Sequence, residues 1–394
     1  MKKRIMKLLI AIPTQLRSGA EEYALTVASG AVKQGWDVHA AFPKTQETAS
    51  LISDFLKNTA CYHSLQIDEF ENYASETRRR HFLRLVRTGI LLLKLKPDVV
   101  LITLCWPLRG LGSMLACGLL KVPTVVVFQL APHRIPLKNR RLKVCSWARR
   151  RNQRWVAVSE QNRKILCETF QISEDEVFRI YNGVKGIPSS NNNNPEELTM
   201  LRSQLRQELG IPLESRLALT VGRLHPQKGY DDIVPIVPHI TKEFPNIKFV
   251  WVGEGEYREY LVNKVCDYGV GENILFLGHR PDIPRLLKAV DLFVFPTHFE
   301  GLPFSLIEAM AYGVPFISSD ASSIPEVIED HVHGLLFRTG DCCDLLETMR
   351  WALKHPDKMQ EMAQNALIRV QDFTQEQMVN STLSVLQQVA HKRA

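Results

Sequence analysis

Apolar runs of four to seven residues recur along the chain, separated by longer stretches in which apolar positions return every third or fourth residue, and this alternation predicts strands interleaved with helices. In the first half the pattern predicts strands over Met6–Ile12, Asp37–Ala41, Asp98–Leu104, Thr124–Leu130 and Trp155–Ser159. Helices are predicted over Ala20–Gln34 and Leu108–Leu120. The alternation stops at Ser189-Ser190-Asn191-Asn192-Asn193-Asn194-Pro195, a polar run with nothing to bury, which predicts an exposed linker. It restarts with strands over Leu217–Val221, Ile247–Val252, Ile274–Phe276, Asp291–Phe295 and Pro315–Ser318, a helix over Tyr230–Phe244, and a closing amphipathic helix over Gln375–Val389. Strands that alternate with helices form parallel sheets covered on both faces, so the fold class is α/β with two doubly wound, Rossmann-like domains. The expected divisions are 1–188, a linker at 189–198, and 199–374, with the closing helix free to pack back on the first domain. Two such domains facing each other imply a cleft between them.

Candidate chemistry lies where predicted strands end. Glu300 follows the strand Asp291–Phe295 and Glu308 falls about a turn and a half into the helix that begins near Pro303, a spacing that can bring both carboxylates toward one polar ligand. Val221-Gly222-Arg223-Leu224-His225-Pro226-Gln227-Lys228-Gly229 follows an earlier strand. Its glycines permit close backbone approach, and Arg223 and Lys228 put two cations where a phosphate would sit. Gly253-Glu254-Gly255 also ends a strand, but it lacks the third glycine of a dinucleotide fingerprint, which argues against a nicotinamide site.

The segment from Glu300 to Glu308 with its continuation Ala309-Met310-Ala311 resembles the E-x7-E signature of family 4 retaining glycosyltransferases of the GT-B fold, and Gly222, Arg223, Leu224, Lys228 and Gly229 match that family's G-R-L-x-x-x-K-G element. Gln15, Ser18, Gly19, Ala20 and Glu21 resemble its G-G-A-E loop, with Ser18 in place of the first glycine. Tyr181-Asn182-Gly183-Val184 resembles its N-G-V turn, with Lys185 where an Asp is usual. The resemblance implies an acceptor-binding first domain and a donor-binding second domain, and transfer of a sugar from a nucleotide-diphosphate donor to an acceptor hydroxyl with retention. It implies that Arg223 and Lys228 neutralise the departing diphosphate and that Glu300 holds donor-sugar hydroxyls. Glu308 would accept from the ribose, Gly222, Gly19 and the backbone at Phe304, Ser305 and Leu306 would meet the donor, and Arg280 would stack on or bond the base. Where relatives carry a histidine against the donor sugar this chain has Gln129, with His133 four residues on, so both are candidate sugar contacts. No metal and no cofactor are expected, since no D-x-D pair stands at a strand end. A nucleotide-sugar epimerase or phosphorylase, or a non-catalytic nucleotide-sugar-binding protein, could share the architecture.

Charge adds a partner. Residues 1–190 hold 30 Lys/Arg against 15 Asp/Glu, whereas residues 191–394 hold 19 against 27, so a basic first half adjoins an acidic second half. Basic and apolar residues interleave from Arg78 through Arg87 into Ile90-Leu91-Leu92-Leu93, which suggests an element lying on an anionic membrane and a glycan or lipid-linked acceptor. Aromatic residues are not clustered within the basic stretch beyond Trp147 and Trp155, which argues against nucleic acid. Eight cysteines without a C-x-x-C pair, and an apolar start at Met6–Pro13 too short and too charged for a signal peptide, point to the cytoplasm and the inner face of the plasma membrane.

Overall fold

The most apolar runs become the centres of two parallel sheets, because a strand covered by helices on both faces must be apolar on both. In the computed structural model, which describes residues 5–13, 17–58, 60–65, 78–185 and 195–391, the chain divides into two units, 1–182 with 375–394, and 183–374. The first sheet contains β1 (Lys7–Ala11), β2 (Asp37–Phe42), β3 (Cys61–Ser64), β4 (Val99–Leu104), β5 (Thr124–Phe128), β6 (Gln153–Ala157) and β7 (Val177–Arg179). Their spatial order is β3-β2-β1-β4-β5-β6-β7, with every pair parallel. All residues of β4 and β5 are buried. The edge strands β3 and β7 were not read from the sequence, and their partly exposed residues carry no apolar run to betray them.

The second sheet contains β8 (Arg216–Val221), β9 (Ile247–Val252), β10 (Ile274–Phe276), β11 (Leu292–Phe295), β12 (Phe316–Ser319) and β13 (Leu335–Phe337), in the order β10-β9-β8-β11-β12-β13. This is the Rossmann order. The connection reverses direction between β8 and β11, so the loops leaving their carboxyl ends flank the crevice where such sheets bind ligands.

Three expectations need correction. The division between units falls at Asn182/Gly183, ahead of the expected 188/189. Residues 189–194 of the expected linker lie outside the described residues, and 195–198 are not linker but the first turn of a helix, Pro195–Glu208, which Pro195 can open because the first helical N–H needs no acceptor. The helix expected over 230–244 is broken into Tyr230–Ile233, a 3₁₀ turn and Val237–Glu243, since Pro235 and Pro238 each remove a backbone donor.

The closing helix, Gln375–His391, belongs to the first unit. Thr382 gives its hydroxyl proton to the Met378 carbonyl (2.7 Å) and so accepts from the buried Tyr23 hydroxyl at 2.5 Å. The approach to helix Gly19–Lys33 is close: a Cβ on Gly30 would stand 2.3 Å from Val379 Cγ1. The chain leaves and re-enters at adjacent points, where Val184 N–H donates to the Phe373 carbonyl at 3.0 Å.

Candidate functional site

Two loops at the carboxyl ends of β8 and β11 meet in the second unit. The first, Gly222–Gly229, turns back so that the Lys228 stem passes over Gly222, its Cδ 3.4 Å from where a Cβ on Gly222 would stand. Tyr230, fully buried, donates its hydroxyl to the Gly222 carbonyl at 2.7 Å and secures the turn. His225 accepts from the Gln227 N–H through Nδ1 at 3.1 Å, and burial together with the nearby Arg223 charge holds its pKa below the ordinary histidine value. Arg223 itself is half-buried.

The second loop, Pro296–Leu302, carries Glu300. Its Oε1 receives the Lys228 ammonium at 2.5 Å and the Thr297 hydroxyl at 2.9 Å. Only 19% of the Lys228 side chain and 9% of the Glu300 side chain are exposed, so this ion pair is screened far less than a surface one. Lys228 Nζ also stands 5.3 Å from the Phe295 ring centroid, within cation–π range. Two hydrogen bonds clamp the loops together: His298 N–H donates to the Gln227 carbonyl at 2.7 Å, and the Gln227 side-chain Nε2 donates to the Phe299 carbonyl at 2.7 Å. On the far side His298 Nε2 meets Asp232 Oδ2 at 2.7 Å, and that bond raises the histidine's pKa. Thr297, Gln227, His298 and Asp232 were not singled out from the sequence. A threonine or glutamine in a loop has no periodicity or charge pattern to mark it.

Glu308 lies half-buried in the helix Phe304–Ala311, one turn before Tyr312, whose pKa rises through burial and, secondarily, through the Glu308 charge. Pro303 caps that helix without a side-chain acceptor for its first amides. The N–H groups of Phe304, Ser305 and Leu306 lack intrahelical acceptors at such a terminus, which therefore favours an anion.

The structure gives the Gly253-x-Gly255 turn a packing role. A Cβ on Gly253 would stand 1.9 Å from the Gly222 carbonyl oxygen and one on Gly255 2.1 Å from that of Leu224, so the glycines let the loop after β9 press against the loop after β8. Arg280, expected to meet a base, grips Asp282 with two bonds of 2.7 Å and Glu208 with a third of 2.7 Å. The Arg280 bonds pull the Asp282 carboxyl down to about 2. Its planar fork is occupied by carboxylates, and it fastens helix Pro195–Glu208 to the loop after β10.

In the first unit Gly19 opens its helix behind Ser18, and the Glu21 carboxylate accepts from both the Ser18 N–H (2.7 Å) and hydroxyl (2.6 Å), which makes Glu21 a capping residue. Gln15 lies outside the described residues. Gln129 follows β5, 8% exposed; its Oε1 accepts from Asn182 at 3.1 Å, and its Nε2 is buried without a partner among the described residues. His133 is exposed on the following loop, its ring 6.3 Å from that of Trp106. Of the two candidates, Gln129 is the one with an unused donor at a strand end. Among the described residues no group of three His, Cys, Asp or Glu side chains is placed to hold a metal.

Two doubly wound domains, the second with a cationic glycine loop and a glutamate-bearing loop at its switch point, define a GT-B glycosyltransferase fold. Residues 17–185 match the model of Glycosyltransferase Family 4, and residues 202–369 match that of Glycosyl transferases group 1. The chain belongs to the family 4 glycosyltransferases. An uncharacterized glycosyltransferase of Methanocaldococcus jannaschii is 31% identical over 182 residues, 46% of this chain and 45% of that protein. The UDP-Gal:alpha-D-GlcNAc-diphosphoundecaprenol alpha-1,3-galactosyltransferase of Escherichia coli is 29% identical over 194 residues, 48% of each. The chain spans about half the length of the curated relatives it matches. Among solved structures, Anabaena HepE in complex with UDP and glucose superposes with a TM-score of 0.80 at 19% identity, covering 97% of this chain and 99% of that one. A Rickettsia africae glycosyltransferase reaches 0.81 at 16%, covering 98% and 99%. These likenesses show the fold.

Proposed function

We propose that the chain is a retaining hexosyltransferase that moves a sugar from a nucleotide-diphosphate donor to an acceptor hydroxyl in glycan, polysaccharide or glycolipid synthesis. The observation that carries this reading is the Lys228–Glu300 pair, 2.5 Å long and mostly buried where the loops after β8 and β11 meet. The anomeric carbon exchanges its bond to a diphosphate oxygen for one to the acceptor oxygen, keeping its configuration, and the acceptor hydroxyl's proton passes to the departing diphosphate; in the transition state negative charge grows on that diphosphate while the sugar ring becomes cationic. Lys228 and Arg223 oppose the first change. Glu300, on the other half of the pair, opposes the second and holds sugar hydroxyls. Until a donor arrives the two side chains pair with each other; the diphosphate then shares the ammonium. Glu308 accepts from the ribose, and the helix start at Phe304, Ser305 and Leu306 lends amide donors to the phosphates.

The acceptor is a glycan or lipid-linked hydroxyl presented at an anionic surface, which suits the basic first half of the chain, and the protein works on the inner face of the plasma membrane. The cations at the diphosphate take the place of a divalent ion, so turnover is metal-independent.

The test is a calorimetric screen of UDP-, GDP- and ADP-sugars, followed by turnover of the best binder in excess EDTA. One of them should bind, with its nucleoside diphosphate released at an unchanged rate under chelation. Activity that EDTA abolishes and magnesium or manganese restores would overturn the metal-free assignment, and no binding across the panel would overturn the donor reading. An epimerase would instead yield an isomerised nucleotide sugar without acceptor.

A further inference from the structure

The segments that leave β8 and β11 are joined by two ion pairs of opposite sense. The first segment supplies the cation Lys228 and, further along, the carboxylate Asp232; the second supplies the carboxylate Glu300 and, just before it, the imidazole of His298. Lys228 pairs with Glu300, and His298 Nε2 meets Asp232 Oδ2 at 2.7 Å. Between the pairs the His298 N–H holds the Gln227 carbonyl at 2.7 Å. Both ends of the second pair are themselves fixed. Asp232 N–H donates to the Gly229 carbonyl at 3.0 Å, and Asp232 Oδ2 lies 3.2 Å from where a Cβ on Gly229 would stand. Next to His298, the Thr297 carbonyl accepts from the buried Ser319 hydroxyl of β12 at 2.5 Å.

In the reaction proposed above the first pair cannot stay as it is, because the diphosphate takes a share of the Lys228 ammonium and the sugar hydroxyls take a share of the Glu300 carboxylate. His298 and Asp232, on the far side of the loop, give nothing to the donor. An ion pair at a half-buried histidine is ordinarily worth little to stability. This one bridges the residues that flank the reacting pair, where a small displacement is costly to catalysis.

We propose that His298 is a positioning residue: as an imidazolium held by Asp232, it keeps the Glu300 loop in register with the Lys228 turn while a donor competes for both of those side chains. The proposal rests on the roles given to Lys228 and Glu300 above.

Charge around the ring sets the sign of its pH dependence. Asp232 and Asp231 of helix Tyr230–Ile233 face it, and the Asp232 bond raises its pKa against the desolvation that lowers it. Lys264, from helix Arg258–Asp267, donates to the Asp231 carbonyl at 3.0 Å, and the Tyr257 hydroxyl donates to the Asp231 carboxylate at 3.2 Å. Cys342, at the start of helix Cys342–Lys354, feels the Asp232 charge; burial first and that charge next raise its pKa, so it stays an uncharged thiol at neutral pH. With the His298 pKa raised, the paired cation is present in full below the ordinary histidine range and is lost as pH rises through the folded-state value. A neutral ring can still donate from Nε2, so deprotonation weakens the tie without cutting it.

The test compares wild type with His298→Gln, which keeps a donor that does not titrate, and Asp232→Asn, which keeps an acceptor without charge. Release of nucleoside diphosphate is followed from about pH 6 to pH 9. Wild-type kcat/KM falls on the alkaline side; the fall moves to lower pH in Asp232→Asn and is absent from His298→Gln. At the acid end the glutamine variant is slower by about tenfold, chiefly in kcat, while UDP affinity stays within about threefold. An alkaline fall that both variants keep unchanged, or a glutamine variant as fast as wild type at the acid end, overturns the proposal. Deuterium exchange at the amides of 297–302, read in the free protein at one pH, is faster in both variants by at least about threefold. Exchange equal to wild type overturns the proposal whether or not a donor has been found. A chain that takes no nucleotide sugar removes the reaction proposed above, and the exchange measurement still decides whether the pair holds the loop.

Discussion

Lys228→Met should abolish most turnover while leaving the fold in place. Methionine keeps the unbranched stem over Gly222 and beside Phe295 and removes only the ammonium. In the proposed reaction that ammonium meets charge that grows as the diphosphate departs, so its loss falls on the transition state. A charge-assisted contact of this kind is worth about 2–4 kcal/mol, or about 30- to 1,000-fold in kcat/KM. Glu300 loses its cation but keeps the Thr297 hydroxyl at 2.9 Å, which limits the cost to stability. Arg223→Ala should act in the same direction. The check is steady-state release of nucleoside diphosphate from the donor that the binding screen selects, alongside thermal unfolding. Turnover within about threefold of wild type, below what one such contact contributes, would remove Lys228 from the diphosphate site.

Gly229→Ala should be among the most damaging single substitutions in the second unit. Gly229 has φ +64°, and a Cβ there would stand 1.9 Å from the Pro296 carbonyl oxygen. The left-handed conformation alone costs an L-residue about 1 kcal/mol. The clash adds to it, because Pro296 begins the Glu300 loop and that loop is bonded to Gln227 on the same turn. Gly210 supplies the comparison: φ +65° and nothing within 4 Å of its Cβ position. Gly210→Ala should therefore cost about 1 kcal/mol and Gly229→Ala about 3 kcal/mol, a lowering of the unfolding midpoint of roughly 2–4 °C against 6–12 °C. Only Gly229→Ala should also lower turnover, since the loops can make room only by separating Lys228 from Glu300. Equal midpoints for the two variants would show that the close approach carries no energy.

The legible parts of this chain are those where local chemistry and tertiary role coincide. Buried central strands must be apolar on both faces, so β1, β4, β5, β8, β9 and β11 stand out as runs. A loop that brings backbone near a ligand needs glycine and one that meets phosphate needs cations, so Gly222–Gly229 is visible as a motif. Glu300 is visible because it too follows a buried strand.

What the residues alone left open depends on neighbours distant in the chain. Short edge strands such as β3 owe their conformation to pairing with β2, and nothing within Cys61–Ser64 announces it. Arg280 reads as a free cation at a strand end until Glu208, 72 residues earlier, arrives on a helix that the polar run before it concealed. Gly253 and Gly255, which lack the third glycine of a dinucleotide fingerprint, prove to be contact points between loops. The apolar residues of helix Arg78–Leu95 divide into a buried and an exposed set only once the helix Leu111–Leu119 covers one side. By itself the sequence determined the α/β class, the two domains and the charged loops at the switch point of the second sheet, because each is a property of local composition and period. The tertiary structure alone decided which charges meet, Lys228 with Glu300 and Arg280 with Asp282 and Glu208, because ion pairing depends on distances that folding sets between residues far apart in the chain.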